Sequence, residues 1–156
     1  MAYVSLDSDQ IKKAHKKHKY TKEQVEKLEK CMDPKTGPLF FMKTFMKIQH
    51  PVKGSVKFEP YPYQERLIES YNNHRFSIAM LPRQTGKTTC ASGFLIWYAM
   101  FRPDSQILIA AHKYAGASDI MSRVRYAYEM LPSWIKAGVT QYNRNSIEFD
   151  NGSKIM

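Results

Sequence analysis

The segment LPRQTGKTT, Leu81 to Thr89, has the residue types of a phosphate-binding loop. Such a loop needs converging backbone N–H groups, the positive end of a helix, and a lysine that reaches the β- and γ-phosphates. Gly86 would let the backbone pass close to the ligand, Lys87 would supply the charge, and the Thr88 hydroxyl could ligate Mg²⁺. The usual pattern has a glycine in place of Leu81, so the alternative is a chance match that leaves the lysine exposed at a polar helix start.

Polar and aromatic neighbours extend this candidate site. Arg83 could contact the γ-phosphate or the charge that develops on it during transfer, and Gln84 adds a polar group in the same turn. The alternative for Arg83 is a surface arginine that binds an acidic neighbour. Upstream, the Tyr63 ring could stack on a base while the Gln64 amide reads an adenine edge by a paired donor and acceptor. Tyr63 could equally be a core residue.

The elements that must position these residues alternate between strands and helices. Pro62 begins a helix that bears Tyr63 and Gln64. The apolar run 76–81 reads as a strand that ends at the loop, and a helix follows from about Lys87 to Met100 with Ala91, Phe94, Leu95 and Tyr98 on one side. A second buried strand over 105–111 and a helix with Ile120, Val124, Ala127, Tyr128 and Leu131 come next. SIEF and Asn151-Gly152 then predict a hairpin. This order predicts an α/β fold with a parallel sheet.

The chain before this pattern reads as a basic helical extension over residues 1–57, followed by the α/β domain over 58–156. Thr21 and Gln24 form a capping-box pattern, and Val25, Leu28 and Met32 continue at helical spacing. Residues 1–19 are predicted to be loose or weakly helical. Their lysine-rich run, KKAHKKHK, is interpreted as a solvated tail in preference to a dedicated DNA arm.

The composition favours polyanionic partners. The chain has 24 Lys and Arg against 14 Asp and Glu, a net charge of +10, which favours nucleic acid, nucleotides or anionic surfaces. Its 156 residues, 43% apolar, suffice for one domain with a real core. No apolar run is long enough for a membrane span, and no secretory signal is found. Cys31 and Cys90 predict reduced thiols in a cytosolic protein.

Four segments together carry a family resemblance: YPYQ, PRQTGKTT, the run from ILIAAHK to LPSWI, and SIEFDNGSKI. Over about residues 32–156 they resemble the large terminase subunit of tailed bacteriophages, in particular that of T4-like phages. In that family the first glycine of the loop is often replaced, so Leu81 looks like a family variant. The resemblance implies a P-loop NTPase domain of the RecA/ASCE type, with a parallel sheet and flanking helices, incomplete here and preceded by the helical extension.

The resemblance also implies roles for individual residues. Lys87 would hold the β- and γ-phosphates, Thr88 would ligate Mg²⁺, and Arg83 would act in cis during hydrolysis. The other implied nucleotide contacts are Tyr63 and Gln64 on the adenine side, with Gln84, Thr85, Gly86 and Thr89 in the loop. Glu59 stands where related sequences often have a glutamine, and an ionised carboxylate can only accept hydrogen bonds.

The implied cofactors are ATP and Mg²⁺, and the implied activity of the whole protein is ATP-driven DNA packaging with an endonuclease. Its implied partners are double-stranded DNA, the portal protein, the small terminase subunit and further copies of itself. Its place would be the cytoplasm of the infected bacterium, without secretion or a membrane.

Phosphoryl transfer also needs a carboxylate that organises Mg²⁺ and a residue that positions water. In the family both follow an apolar strand well after the loop, and we find no such strand. The late carboxylates are Asp119, Glu129, Glu148 and Asp150, and the last two are interpreted as one solvated face of the hairpin. We therefore expect the front part of an ATPase domain that binds ATP weakly, turns over little or none, and exposes sheet surface prone to aggregation.

Two other functions fit parts of the sequence. A helicase or restriction-type translocase shares the glutamine before a helix and the GKT loop. A non-catalytic basic module that binds DNA or a partner fits the charge, and it predicts steeply salt-dependent DNA binding without a nucleotide effect. Arg123 and Arg125 could face DNA or a neighbouring subunit, or form a solvated helix face.

Overall fold

The computed structural model describes residues 10–50 and 52–156, which form five helices and two small sheets. In chain order the elements are α1 (Lys22–Met32), α2 (Gly37–Phe45), β1 (Lys47–His50), β2 (Gly54–Lys57), α3 (Pro62–Asn73), α4 (Lys87–Phe101), β3 (Gln106–Ile107), α5 (Tyr114–Glu129), β4 (Val139–Tyr142), β5 (Ile147–Phe149) and β6 (Lys154–Ile155). None of these described helices is long and apolar enough to cross a membrane.

The chain combines helices with one mixed and one antiparallel sheet, so the α/β class is confirmed and the expected parallel sheet is seen only in part. The larger sheet has the order β3-β6-β5-β4, in which only β3 and β6 are parallel. The antiparallel pairing of β5 with β6 follows from the turn at Asn151-Gly152, where Gly152 has a φ of +84°. That left-handed backbone suits glycine and reverses the chain tightly.

The predicted helices are confirmed with small shifts of their ends. The capping box of α1 is present, since the Gln24 N–H donates to Thr21 Oγ1 and the Thr21 N–H donates to Gln24 Oε1. Pro62 is the first residue of α3, where its missing N–H costs nothing. The helix after the loop runs from Lys87 to Phe101, and α5 buries Val124, Ala127 and Tyr128 as expected.

The predicted strand over 76–81 is wrong. This segment forms no regular secondary structure and pairs with no strand in the described part of the chain. Phe76, Ile78 and Met80 are 81%, 94% and 90% exposed. Alternating apolar residues stabilise a strand only when a neighbouring strand and a second layer cover them, and neither is present here.

The N-terminal part contains strands as well as the predicted helices. Lys47–His50 and Gly54–Lys57 form an antiparallel hairpin in which Ile48 pairs with Val56, whereas the sequence predicted only a helical extension there. Gly54 has a φ of +69° and begins the second strand.

The predicted loose tail is wrong for residues 10–15, while residues 1–9 lie outside the described part. Ile11 is buried, the Val139 N–H donates to the Lys12 carbonyl, and the His15 N–H donates to Asp150 Oδ2 at 3.0 Å. The Lys136 amine, itself buried, donates to the Gln10 carbonyl at 2.7 Å. These contacts attach the segment to the edge of β4, and the lysines Lys13, Lys16, Lys17 and Lys19 are exposed.

Helix α4 is the centre of the hydrophobic core. The Trp97 indole N–H donates to the Cys31 carbonyl at 2.8 Å, which joins α4 to the end of α1. Gly93 allows Met42 and Met46 to lie against α4, because a Cβ there would come within 2.5 Å of both side chains. This packing fixes the direction of α4, and with it the direction of the loop that precedes it.

In two helices, α1 and α4, the buried face differs from the face that the sequence predicted. In α1, Val25 and Met32 are exposed while Cys31 is fully buried. In α4 the predicted face is only half-buried, with Tyr98 37% exposed, and the buried residues are Cys90, Ser92, Gly93, Ile96, Trp97, Ala99 and Met100. Apolar residues surround most of α4, so its periodicity does not identify one core face.

The exposed apolar run predicts self-association. Ile78→Lys should lower the sedimentation-detected fraction of oligomers, because it places a charge on a side chain that is 94% exposed and contributes little to packing. Ser133→Lys, at an exposed loop position, adds the same charge elsewhere and serves as the control. A wild-type chain that stays monomeric at all concentrations, or equal effects of the two variants, would contradict this.

Two buried thiols predict a loss of stability at alkaline pH. Burial raises the pKa of Cys31 from 9.0 to about 12 and that of Cys90 from 9.0 to about 11. The unfolded thiols ionise first, so this stability is complete below pH 9 and is lost as the pH rises through the folded pKa values. The slope is about 1.4 kcal/mol per pH unit for each thiol.

Denaturant unfolding of the wild type and of the Cys31→Ala/Cys90→Ala variant between pH 8 and 11 measures this effect. The variant should lose stability less steeply with pH. Equal slopes would assign the alkaline loss to other groups, such as Tyr128 and Tyr142, whose pKa values burial also raises.

Candidate nucleotide-binding site

The candidate loop lies directly before the start of α4. Gly86 is the N-cap of the helix with φ +77° and ψ 14°, and its carbonyl accepts the first helical hydrogen bond from the Cys90 N–H at 2.9 Å. The N–H groups of Lys87, Thr88 and Thr89 therefore have no partner within the helix and carry the positive end of its dipole. Converging N–H groups of this kind can bind an anion.

The backbone of the loop is left-handed at two residues, Gln84 with φ +63° and Gly86 with φ +77°. Glycine adopts this conformation freely, whereas it costs other residues about 1–2 kcal/mol. Gly86 is also required by its neighbour, since a Cβ there would lie 2.5 Å from Gln64 Nε2. Both the φ angle and the close approach of Gln64 therefore require glycine at this position.

Lys87 closes the loop on itself. Its Nζ donates to the Leu81 carbonyl at 3.1 Å, and the side chain is half-buried. The Thr85 hydroxyl donates to the Pro82 carbonyl at 2.9 Å, which forms a second link across the turn. The ammonium group thus links the start of α4 to the first residue of the loop, and Leu81, which replaces the usual glycine, provides the accepting carbonyl.

Helix α3 is joined to the loop through one carbonyl. The Tyr63 hydroxyl and Gln64 Nε2 both donate to the Thr85 carbonyl at 2.9 Å. Gln64 Oε1 accepts from the Tyr61 N–H at 2.9 Å, and its side chain is buried. The sequence suggested that Tyr63 and Gln64 read a base, and the structure shows that both hold the loop in position.

Tyr61 was missed by the sequence reading. Its ring stacks on Tyr63 with centroids 5.9 Å apart and planes within 6°, and it is 65% exposed. The signal was present in the sequence Tyr-Pro-Tyr, because Pro62 marks the helix start and makes Tyr61 the N-cap, next to the first turn that carries Tyr63. The pair presents an aromatic surface beside the loop.

The remaining predicted site residues differ in their exposure and in their contacts. Arg83 is exposed and has no ion-pair or hydrogen-bond partner within residues 10–50 and 52–156, and Glu59 is also exposed. Thr88 and Thr89 are half-buried in the first turn of α4. Thr89 also lines a cavity on the side of α4 that faces α5.

The four late carboxylates are all engaged away from the loop. Asp119 pairs with Arg123 at 3.2 Å, and Glu148 pairs with Lys154 at 2.7 Å, across β5 and β6. Glu129 accepts from the Tyr142 hydroxyl at 2.6 Å, and burial and this hydrogen bond raise the pKa of that tyrosine. Asp150 accepts from the N–H of the N-terminal segment, as described above. The expected solvated hairpin face is therefore wrong for Glu148 and Asp150, since both have partners.

The described residues contain no group of three or more His, Cys, Asp or Glu that could hold a metal ion. A Mg²⁺ ion at Thr88 would therefore depend on phosphate oxygens and water for most of its ligands, which is common for this ion.

Glycine at position 86 predicts a graded effect of substitution. Gly86→Ala should cost about 1–2 kcal/mol from its positive φ and more from the displacement of Gln64. Gly54→Ala is the matched control, because Gly54 has a φ of +69° and nothing within 4 Å of its Cβ position. Denaturant unfolding of both variants should show the larger loss for Gly86→Ala; equal losses would mean that the contact with Gln64 contributes nothing.

The family described as "Terminase large subunit, T4likevirus-type, N-terminal" matches residues 78–156, about half of the chain. The match contains the whole loop, α4, α5 and the four-stranded sheet. The similarity expected for residues 32–77 lies outside it. On the strength of this match, the chain belongs to the T4likevirus-type terminase large subunits, within the N-terminal region of that family.

Proposed function

We propose that this chain is the ATP-binding part of a phage DNA-packaging motor. The carrying observation is the loop 81–86, which lies at the N-terminus of α4 inside the matched region and is crossed by the Lys87 ammonium 3.1 Å from the Leu81 carbonyl. A concave loop, free helical N–H groups and a lysine are the components that bind a triphosphate tail.

The loop and the first turn of α4 would contact the phosphates. Lys87 would exchange its hydrogen bond with Leu81 for the β- and γ-phosphates, and the N–H groups from Gln84 to Thr89 would bind phosphate oxygens. Arg83 supports this proposal because it is exposed, unpaired in the described structure, and close enough in sequence to contact charge on the γ-phosphate. Thr88 would ligate Mg²⁺, which neutralises phosphate charge when bound.

Helix α3 and its N-cap residue would contact the adenine. The exposed ring of Tyr61, stacked on Tyr63, supports base stacking. Gln64 Nε2 uses one N–H for the Thr85 carbonyl and keeps a second, which could donate to an adenine acceptor.

Hydrolysis by this chain should be slow or undetectable. Phosphoryl transfer needs a carboxylate or similar group that orients water and metal. Asp119, Glu129, Glu148 and Asp150 each have another partner in the described structure, and none of those partners belongs to the loop. We infer that the chain binds ATP with little turnover, although the packaging motor as a whole uses ATP to move DNA and also cuts it.

The partners proposed for the motor are double-stranded DNA, the portal protein, the small terminase subunit and further copies of the large subunit, in the cytoplasm of the infected bacterium. Family membership ranks the helicase-type alternative second. The non-catalytic basic module ranks third, because it gives no reason for the arrangement around Lys87.

A nucleotide titration tests the proposal. Lys87→Ala should weaken binding of a fluorescent ATP analogue in the presence of Mg²⁺ at least tenfold, because it removes the ammonium that contacts the phosphates. Lys113→Ala is the matched control, since Lys113 is the N-cap of α5 and exposed, so that it removes the same charge at another helix start.

The control should bind as the wild type does. Wild-type and Lys87→Ala chains that bind the analogue equally would contradict the proposal, and so would rapid ATP hydrolysis that persists in Lys87→Ala.

A further inference from the structure

The β1–β2 hairpin is a basic surface without compensating acids. Residues 47–57 contain three lysines, one histidine and no Asp or Glu. Lys47 and Lys57 are directly opposite each other in the ladder, and both are exposed. Like charges directly opposite on antiparallel strands are destabilising, so this arrangement costs stability in the isolated chain.

Other lysines of the described structure are neutralised where they face carboxylates. Lys27 and Lys30 pair with glutamates one turn earlier in α1, and Lys43 and Lys154 pair with glutamates of other elements. Within the described residues none of these ion pairs involves Lys47, Lys53 or Lys57. The hairpin thus concentrates unpaired positive charge that a polyanion would stabilise.

The two faces of the hairpin have separate roles. Ile48 and Val56 pair on one face and are half-buried, while Lys47, Lys57, Gln49 and Ser55 share the opposite face and are exposed. The His50 Nδ1 accepts from the N–H groups of Val52 and Lys53 at 3.2 and 3.1 Å. These hydrogen bonds connect the end of β1 to Val52 and Lys53, which lie between the two strands.

The hairpin rests on the helix that starts at the nucleotide loop. Met46, immediately before β1, packs at Gly93 of α4, and its carbonyl accepts from the Phe58 N–H at 3.0 Å. A cavity of about 640 Å³ lies between the hairpin and helices α4 and α5, and its lining includes Lys47, Thr89, Asp119 and Arg123. Asp119 is paired with Arg123. A ligand that contacts Lys47 at this cavity would therefore lie close to α4.

We propose that the β1–β2 hairpin binds the sugar-phosphate backbone of duplex DNA, which deepens the proposed packaging function by assigning it a contact surface. Lysines bind phosphates without reading sequence. Residues 47–57 contain no Phe, Tyr or Trp, so the hairpin lacks the stacking rings that single-strand binders use. The net charge of +10 favours DNA over a basic partner.

The test is the salt dependence of duplex DNA binding by the whole chain, measured by fluorescence anisotropy with a labelled 30-base-pair duplex. The variant Lys47→Gln/Lys53→Gln/Lys57→Gln should lower the slope of log Kobs against log salt by about 2–3 and weaken binding at least tenfold. Lys16→Gln/Lys17→Gln/Lys19→Gln is the matched control, because it removes the same charge from exposed lysines of the N-terminal run.

The control should keep most of the affinity and slope. Equal losses of affinity and of salt slope in both triple variants would mean that only the net charge matters, and this result would overturn the proposal. So would a loss confined to the N-terminal triple variant, an absence of duplex binding at low salt, or tighter binding of a single strand of the same length. Thermal unfolding should show the hairpin variant at least as stable as the wild type, because the repulsion between Lys47 and Lys57 is gone; a large loss of stability would overturn the account of the ladder.

The nucleotide site is tested separately in the same chains. The hairpin variant should bind the ATP analogue as the wild type does, and Lys87→Ala should keep nucleotide-free DNA binding. A chain that binds DNA through the hairpin but binds no nucleotide would contradict the nucleotide proposal alone.

Discussion

The Thr85 carbonyl is the point on which the candidate site depends. It accepts from the Tyr63 hydroxyl and from Gln64 Nε2, both at 2.9 Å. A backbone carbonyl has two lone pairs, so these two donors satisfy it completely and fix its direction. Because the peptide is planar, fixing this carbonyl also orients the following N–H, which belongs to Gly86. Helix α3 therefore sets the conformation of a loop that lies more than twenty residues further along the chain.

The second constraint is the burial of α4. Trp97 and Cys90 lie in the core, Gly93 permits close contact with Met46, and the Trp97 indole is bonded to the end of α1. A helix held over its length cannot turn at its N-terminus, so the N–H groups of its first turn keep one direction. Pre-orientation of this kind lowers the entropy that ordering the loop would otherwise cost when an anion binds.

The sequence predicted the local features whose signals are local. The capping box of α1, Pro62 at the start of α3, the loop before α4 and the Asn151-Gly152 turn each depend on neighbouring residues, and the structure contains all four. The strand over 76–81 failed because a strand needs a partner that its own residues cannot specify.

The remaining differences have the same origin. The attachment of residues 10–15 depends on Lys136 and Asp150, more than a hundred residues away, and no spacing within a lysine-rich run could have indicated it. For the site, the sequence indicated the loop before α4 and selected Tyr63 and Gln64, but as adenine contacts and not as partners of the loop backbone. It did not identify Tyr61, nor that Gln64 would be engaged by the backbone of the loop.

The loop is attached firmly to α3 and α4 but only weakly to the segment that precedes it. On one side α4 is packed in the core, and α3 is bonded to Thr85. On the other side the chain from Phe76 to Met80 belongs to no strand and is largely exposed. The Ser77 hydroxyl donates to the Ser70 carbonyl, and the Leu81 carbonyl accepts from Lys87. If Lys87 moves to a phosphate, the second of these hydrogen bonds is lost, and Leu81 becomes freer as the ligand binds. Ligand binding at the loop would therefore reduce the order of residues 76–81, unless the segment gains a strand partner. A partner strand would remove this conflict, because backbone hydrogen bonds would then hold Leu81 without Lys87.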